Sequence, residues 1–196
     1  YNALLVEEPE AHLHPQYQNT FFEYLNELQS KGLQVFVTSH SPTITAKSDV
    51  NNISILQRKQ SIIQSFSFDE LSEDDYPKES KRHLRKFLDT TKAQLFFANG
   101  VLLVEGVAEA IIIPILAKKF LTEKIDLCKS GIELVNIGGV AFNHFGLLFN
   151  NDDERKRLLS KCAIITDSDP KDNGDISDRA QKAKDLEKHN LKVCLA

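Results

Sequence analysis

The sequence predicts an α/β fold with a mainly parallel sheet in each of two halves. Three observations predict it. Short apolar runs such as ALLV, VFVTS, VLLV and AIIT have the length and composition of strands buried on both faces. Segments with apolar residues at helical spacing lie between them, so strand alternates with helix along the chain. Acidic residues follow several of the runs directly, where open α/β sheets bind ligands.

The elements follow in order. ALLV is the first strand, and QYQNTFFEYLNELQSKG the first helix, with Phe21, Phe22, Leu25 and Leu28 at helical spacing and Gly32 as its stop. LQVFVTS is a second buried strand. SPTI opens a short helix with Ser41 as N-cap and Pro42 at its first position. NNISILQ and SIIQSFSF read as a pair of strands, and the acidic DELSEDDYPKES as a surface connection. SKRHLRKFLDTTKAQLFFA predicts one helix with Leu84, Phe87, Leu88 and Leu95 on a stripe. Beyond it GVLLVEG is a strand, and VAEAIIIPILAKKFL a helix that Pro114 should bend. IELVNIGG is a strand ending in a glycine turn. AFNHFGLLF, DERKRLLSK and DRAQKAKDLEKHN read as helices, CAIITDSD and LKVCL as strands. The composition shift sets the expected boundaries: 1–68, a linker with helix at 69–95, and 96–196.

A chain of 196 residues with 41 % apolar and 27 % charged residues is built to fold, not to stay disordered. No apolar run has the length of a bilayer span and YNALLVEEPE is no signal peptide, so no membrane partner and a cytoplasmic location are expected. Cys128, Cys162 and Cys194 are widely spaced, which predicts buried, reduced thiols and no zinc site. The net charge of −4 does not favour nucleic acid, although a local basic patch can act alone. There is no Met, and both ends fall inside apparent strands, so the chain reads as an excised fragment.

The acids carry the chemistry. Glu7 and Glu8 follow ALLV, Glu105 follows VLLV, and Asp167 and Asp169 follow AIIT. Tips of parallel strands converge, and crowded carboxylates repel unless a cation holds them. Mg²⁺ suits such oxygen ligands. Asp167 and Asp169, two apart on an extended chain, can face one side about 7 Å apart. Glu105 and Glu109, four apart at a helix start, share a face. A single acid at such a place equally fits a helix N-terminal cap; EGVAE together with DSD fits a metal site better.

VLLVEGVAEA, VNIGGV and AIITDSDP together resemble a Toprim domain, the metal-binding fold of topoisomerases, primases and certain nucleases. The resemblance implies Glu105 as acid/base or metal ligand, Asp167 and Asp169 as metal ligands, and Gly138 and Gly139 as a bare turn open to phosphate. The first segment resembles the C-terminal half of an ABC-type ATPase head. ALLVEEPEAHLHP looks like a Walker B strand, with Glu7 at the Mg²⁺ position and Glu8 activating water. HLHP takes the D-loop position, and VFVTSHSP the switch strand with His40 toward the γ-phosphate. The Walker B acid is usually Asp, and its replacement by Glu recurs in the OLD nucleases, which join such an ATPase to a C-terminal Toprim domain. In that branch Glu109 also helps bind metal.

This resemblance implies a metal-dependent DNA endonuclease using Mg²⁺ or Mn²⁺, with ATP used by the whole protein, DNA as partner, a dimer or larger assembly, and roles in phage defence or DNA repair. The alternative is an ATP-binding repair, sensing or scaffold protein of the SMC/RecF type with an inactive Toprim domain. No GxxxxGK[ST] loop or signature sequence occurs, so both are expected upstream of Tyr1, later Toprim residues beyond Ala196, and no ATP hydrolysis by this piece alone. Lys81, Arg82, Arg85 and Lys86, and Arg155, Lys156 and Arg157, fit solvated helix faces better than phosphate grips. His12 and His14 are too few for zinc. His83, His144 and His189 fit surface or packing roles, and Tyr17 and Tyr24 lack the setting of a DNA-linked tyrosine. Ser168 fits a carboxylate partner or a strand-end filler equally, and Asp172 and Asp175 read as solvated loop acids.

Overall fold

The computed structural model describes residues 2–120, 126–139, 141–171 and 175–196. Asp172 lies outside them. The first segment is a βαβ unit. Strand β1 (Ala3–Glu7) pairs in parallel with β2 (Gln34–Thr38), from Ala3 opposite Gln34 to Glu7 opposite Thr38. Helix α1 (Pro15–Ser30) makes the crossover and buries Leu25. Gly32 ends it with a φ of +89°, a conformation that costs glycine no Cβ clash. The two strands are not buried on both faces as their apolar runs predict. Leu5 is 77 % and Phe36 52 % exposed, because alternate side chains point to opposite faces and only alternate positions are sheltered. Helix α2 (Pro42–Lys47) starts as expected: the Ser41 hydroxyl accepts from the Ile44 amide.

Strands β3 (Ser54–Lys59) and β4 (Ile62–Ser67) form the expected pair, an antiparallel hairpin. The acidic stretch after it is not the surface connection its composition suggests. Phe68, Leu71 and Tyr76 are buried there, with Phe66, Phe68 and Tyr76 meeting edge to face at 5.1 and 5.9 Å between ring centres. Its charges other than Asp75 face outward, while Phe68, Leu71, Tyr76 and Leu84 of the next helix turn in. The single helix expected over residues 80–98 is broken. Helix α3 (Lys78–Phe87) ends, Leu88 is extended, and Asp89 caps α4 (Thr90–Ala93) by accepting from the Lys92 amide at 2.8 Å. A side chain able to hydrogen-bond a nearby amide competes with helix continuation. Leu84, Leu88 and Leu95 are buried, whereas Phe87 is 43 % exposed.

The second sheet is four-stranded and wholly parallel, in the order β6-β5-β7-β8. Its strands are β5 (Gly100–Val104), β6 (Ile132–Asn136), β7 (Lys161–Thr166) and β8 (Leu191–Leu195). Between them lie α5 (Val107–Phe120), α6 (Phe142–Gly146) and α7 (Asp178–Lys184). Pro114 sits inside α5 without ending it. The predicted helix DERKRLLSK is reduced to one tight turn, Glu154–Lys156, because Asp153 caps the Arg155 amide at 2.9 Å and Arg157 reaches back to the Asn151 carbonyl at 2.6 Å. One core runs from Val50 through the hairpin, α3 and α4 to Leu191, with Leu103, Phe145, Phe149 and Ile164 at its centre.

Of the three thiols only Cys162 is buried, and burial pushes its thiol well above the usual range. Cys128 and Cys194 are exposed, against expectation, because both lie where apolar cover is thin: one in a turn, the other on the open face of β8. Among the described residues no helix is long and apolar enough to cross a membrane.

Candidate active site

Register dictates which residues meet at the tips of the second sheet. Val104 lies opposite Ile165 on β7 and opposite Asn136 on β6. The next residue, Glu105, therefore emerges beside Thr166 on one side and beside the Ile137–Gly139 turn on the other. The Thr166 hydroxyl, nearly fully buried, donates to Glu105 Oε1. The Gly139 amide donates to the Glu105 carbonyl at 2.9 Å, and the Gly138 amide to Asn136 Oδ1 at 2.9 Å. Both glycines have positive φ, +69° and +111°, and a Cβ on either would meet open space. The turn is thus a bare backbone edge beside the acid, as the sequence indicates.

Glu105 is met from a third side by Arg179, a residue that sequence reasoning passed over. Its Nη2 pairs with Glu105 Oε2, and its Nη1 lies 3.6 Å from Asp169 Oδ2. Acids from two strand tips thus share one cation. The polypeptide holds Arg179 there by tying the start of α7 to the DSD turn. The Ser177 amide donates to the Ser168 carbonyl at 3.1 Å, and the Ser177 hydroxyl caps the Ala180 amide at 3.1 Å. A helix that follows a parallel strand begins near that strand's carboxyl end, and a first-turn arginine after DSD is the signal that could have found it.

The other acids stand apart from this pair. Glu109 Oε2 folds back over Gly106, 3.1 Å from where a Cβ there would lie. Asp167 is exposed and joins no ion pair among the described residues. Asp169 has a φ of +41°, so the chain turns out of the extended form, and the picture of two aspartates on one strand face does not hold. Among the described residues no group of three or more His, Cys, Asp and Glu side chains is gathered tightly enough to hold a metal ion. The donor chemistry nevertheless suits a hard divalent cation: hard carboxylate oxygens, two of them already converged on a positive charge.

At the first sheet, Glu8 follows β1 with a φ of +41°, and its amide donates to the Thr38 carbonyl at 2.9 Å. His40, two residues past β2, brings its Nε2 within 3.2 Å of Glu8 Oε1. Glu7 is exposed at the end of β1 opposite Thr38. Glu10, the third glutamate of EEPE, was missed. It accepts from the Ser39 hydroxyl at 2.8 Å and from the His40 amide, and so fastens the loop that carries His40. The His40 ring also meets Phe97 edge-on, 6.5 Å between centres, just before β5. A cavity of about 250 Å³ lies alongside, lined by His40, Gln94, Asn99 and Glu133 among others.

The basic clusters are not simply solvated faces. Lys81 donates to the Phe68 and Leu71 carbonyls at 2.7 and 3.3 Å, Arg85 pairs with Asp49 at 2.9 Å, and Lys156 with Asp75 at 2.7 Å. Lys156, with Ser72 and Asn151, holds the Asp75 carboxyl well below the usual carboxylate range. His83 and His144 stack at 4.2 Å, a packing role, and His189 pairs with Asp152 at 2.7 Å. His14 caps α1 by accepting from the Gln16 amide.

A parallel sheet with acids at adjacent strand tips and a glycine turn beside them is similar to a Toprim-type domain. Residues 96–169 match the family model "Overcoming lysogenization defect protein-like, TOPRIM domain", and residues 1–45 match that of the AAA ATPase domain. The chain is 28 % identical over 164 residues to the Old nuclease of Escherichia phage P2, covering 83 % of this chain and 28 % of that protein. It is 28 % identical over 206 residues to Endonuclease GajA of Bacillus cereus, covering 94 % of this chain and 29 % of that protein. An OLD nuclease of Thermus scotoductus is 30 % identical over 118 residues, 56 % of this chain and 21 % of that protein. The chain thus spans less than a third of the length of these relatives. A segment that matches the AAA ATPase model precedes one that matches the OLD-like Toprim model, the order its motifs indicate.

Proposed function

We propose that the protein is a metal-dependent DNA endonuclease whose cleavage site lies at the tips of β5 and β7, coupled to an ATPase head. The observation that carries the reading is the convergence of Glu105 and Asp169, from different strand tips, on one positive charge. Glu105, Glu109, Asp167 and Asp169 would hold Mg²⁺ or Mn²⁺. Bound there, the ions would lower the pKa of the attacking water and offset charge on the phosphate and the departing 3′ oxygen.

The chain's own residues do the rest. The Thr166 hydroxyl holds Glu105 Oε1 and the Gly139 amide its backbone carbonyl, so Oε2, where Arg179 pairs, is the oxygen that would take a proton from water once the guanidinium leaves. The bare Gly138–Gly139 turn lets a DNA phosphate approach the strand tips closely. In the ATPase segment Glu7 would hold the Mg²⁺ of a bound nucleotide, Glu8 would orient and deprotonate water, and His40, in contact with Glu8, would serve the terminal phosphate. A dimer or larger assembly would complete the nucleotide site.

A nucleotide-sensing or scaffold protein with a silent Toprim domain is the second reading, favoured by one fact: Arg179 already neutralises the acid pair. Plasmid nicking by the full-length protein with Mg²⁺ or Mn²⁺, comparing wild type with Glu105→Ala, separates the two. Nicking lost in the variant supports the nuclease. Nicking that survives it removes this site, and none by the wild type with either ion favours the scaffold.

A further inference from the structure

We infer that Arg179 is the resident counter-cation of Glu105 and Asp169, and that it must leave them before a divalent ion can load. The inference rests on the metal-site reading above and adds a competitor to it. Three features of the side chain carry it. First, its guanidinium contacts the same two carboxylates that would ligate the ion. A guanidinium cannot shed its charge, so it and a divalent ion cannot share those oxygens. Second, the arrangement is incompletely satisfied: Arg179 Nε is buried with no hydrogen-bond partner. A buried N–H without an acceptor is costly, so the docked state is held by its ion pairs alone. Third, the side chain is 36 % exposed and Asp169 is 52 % exposed, which leaves an outward path.

The anchoring is asymmetric, and that sets the order of events. Glu105 is 17 % exposed and keeps the Thr166 hydroxyl on its other oxygen. It stays in place when the guanidinium departs. The backbone of α7 likewise stays, pinned through Ser177 to the DSD turn, so only the arginine side chain need move. Without Arg179 the two acids would face each other unneutralised, and their attraction for a divalent ion would rise.

The test is Mn²⁺ binding to the protein, followed by the electron paramagnetic resonance signal of the free ion. Arg179→Gln should bind Mn²⁺ about two- to fivefold more tightly than wild type, the scale of a partly exposed ion pair. Arg179→Lys, which restores the charge, should return toward the wild-type affinity. Equal or weaker binding by Arg179→Gln overturns the inference. A second measurement needs no variant: phenylglyoxal labelling of wild-type Arg179, mapped by mass spectrometry. Labelling should rise severalfold when Mg²⁺ is added, and labelling that is unchanged or falls overturns the inference even if Arg179→Gln does not fold. Glu105→Gln keeps the two readings apart. Wild-type Mn²⁺ binding that Glu105→Gln abolishes upholds the metal site whatever Arg179 does. Binding unchanged in Glu105→Gln, or absent from the wild type, removes the metal site and the role of Arg179 with it.

Discussion

The Gly139 amide donates a hydrogen bond to the carbonyl of Glu105 at 2.9 Å. This bond ties the turn after β6 to the acid after β5, and the turn needs positive φ at Gly138 and at Gly139, +69° and +111°. Gly139→Ala should therefore cost about 1–3 kcal/mol of stability from backbone strain alone, since a Cβ there meets open space. Nicking should fall with it as Glu105 shifts. Chemical denaturation and the plasmid assay, run on the same preparation, check both.

Thr166 offers a more conservative probe of the same acid. Thr166→Val keeps the shape and removes the donor to Glu105 Oε1. A hydrogen bond to a charged group contributes about 1.5–3 kcal/mol, so the nicking rate should drop about tenfold or more. Thr166→Ser keeps the hydroxyl and should retain most of the rate. Equal rates for all three proteins would remove Thr166 from the site.

Glu10 should matter to nucleotide turnover without touching nucleotide. It fastens Ser39 and the His40 amide, and His40 reaches Glu8 at 3.2 Å. Glu10→Ala frees that loop. ATP hydrolysis by the intact protein is expected to fall about tenfold, on the scale of lost positioning, with nucleotide binding largely kept. Phosphate release and fluorescent-nucleotide titration distinguish the two effects.

Tyr76→Phe tests the core. The buried phenol donates to the His144 carbonyl at 2.5 Å, and burial raises its pKa far above the usual range. Removing the hydroxyl leaves that carbonyl unsatisfied and should cost about 1–3 kcal/mol, read from urea melts. Nicking by the folded fraction should not change.

Stability should also depend on pH through His83 and His144. Burial lowers both below their ordinary value of 6.5, helped at His83 by the neighbouring His144, Lys86 and Lys92, and opposed at His144 by Glu79. The unfolded chain binds protons near 6.5 that the folded chain refuses, so stability rises with pH through this window. It is full above 6.5 and is lost as pH falls toward the folded values. The melting temperature at about pH 5.5 should lie below that at about pH 7.5, and His83→Phe should flatten the slope.

The sequence announced its strands and its acids more clearly than its contacts. Apolar runs ending in Glu105 and in Asp167 and Asp169 marked β5 and β7, because a buried parallel strand has few other compositions. Glycine at 138 and 139 marked the turn for the same kind of reason. Hidden features depended on distance in space. Arg179 looked like one charge on an amphipathic helix, and only the packing of α7 against the β7 tip gives it two acids. Tyr76 sat in an acidic stretch whose charge masked a buried ring. The helix over residues 80–98 failed because periodicity alone ignores Asp89 as a competing cap.

Val50, Phe66, Phe68, Leu71, Tyr76, Leu84 and Leu88 share their packing with Leu103, Phe145 and Ile164. Dissection by expression must respect that. A piece begun at residue 96 would present a raw hydrophobic wound where the hairpin had rested, and should precipitate or scavenge chaperones. The shortest version worth purifying starts ahead of Val50, even though the motif that names the domain begins far later.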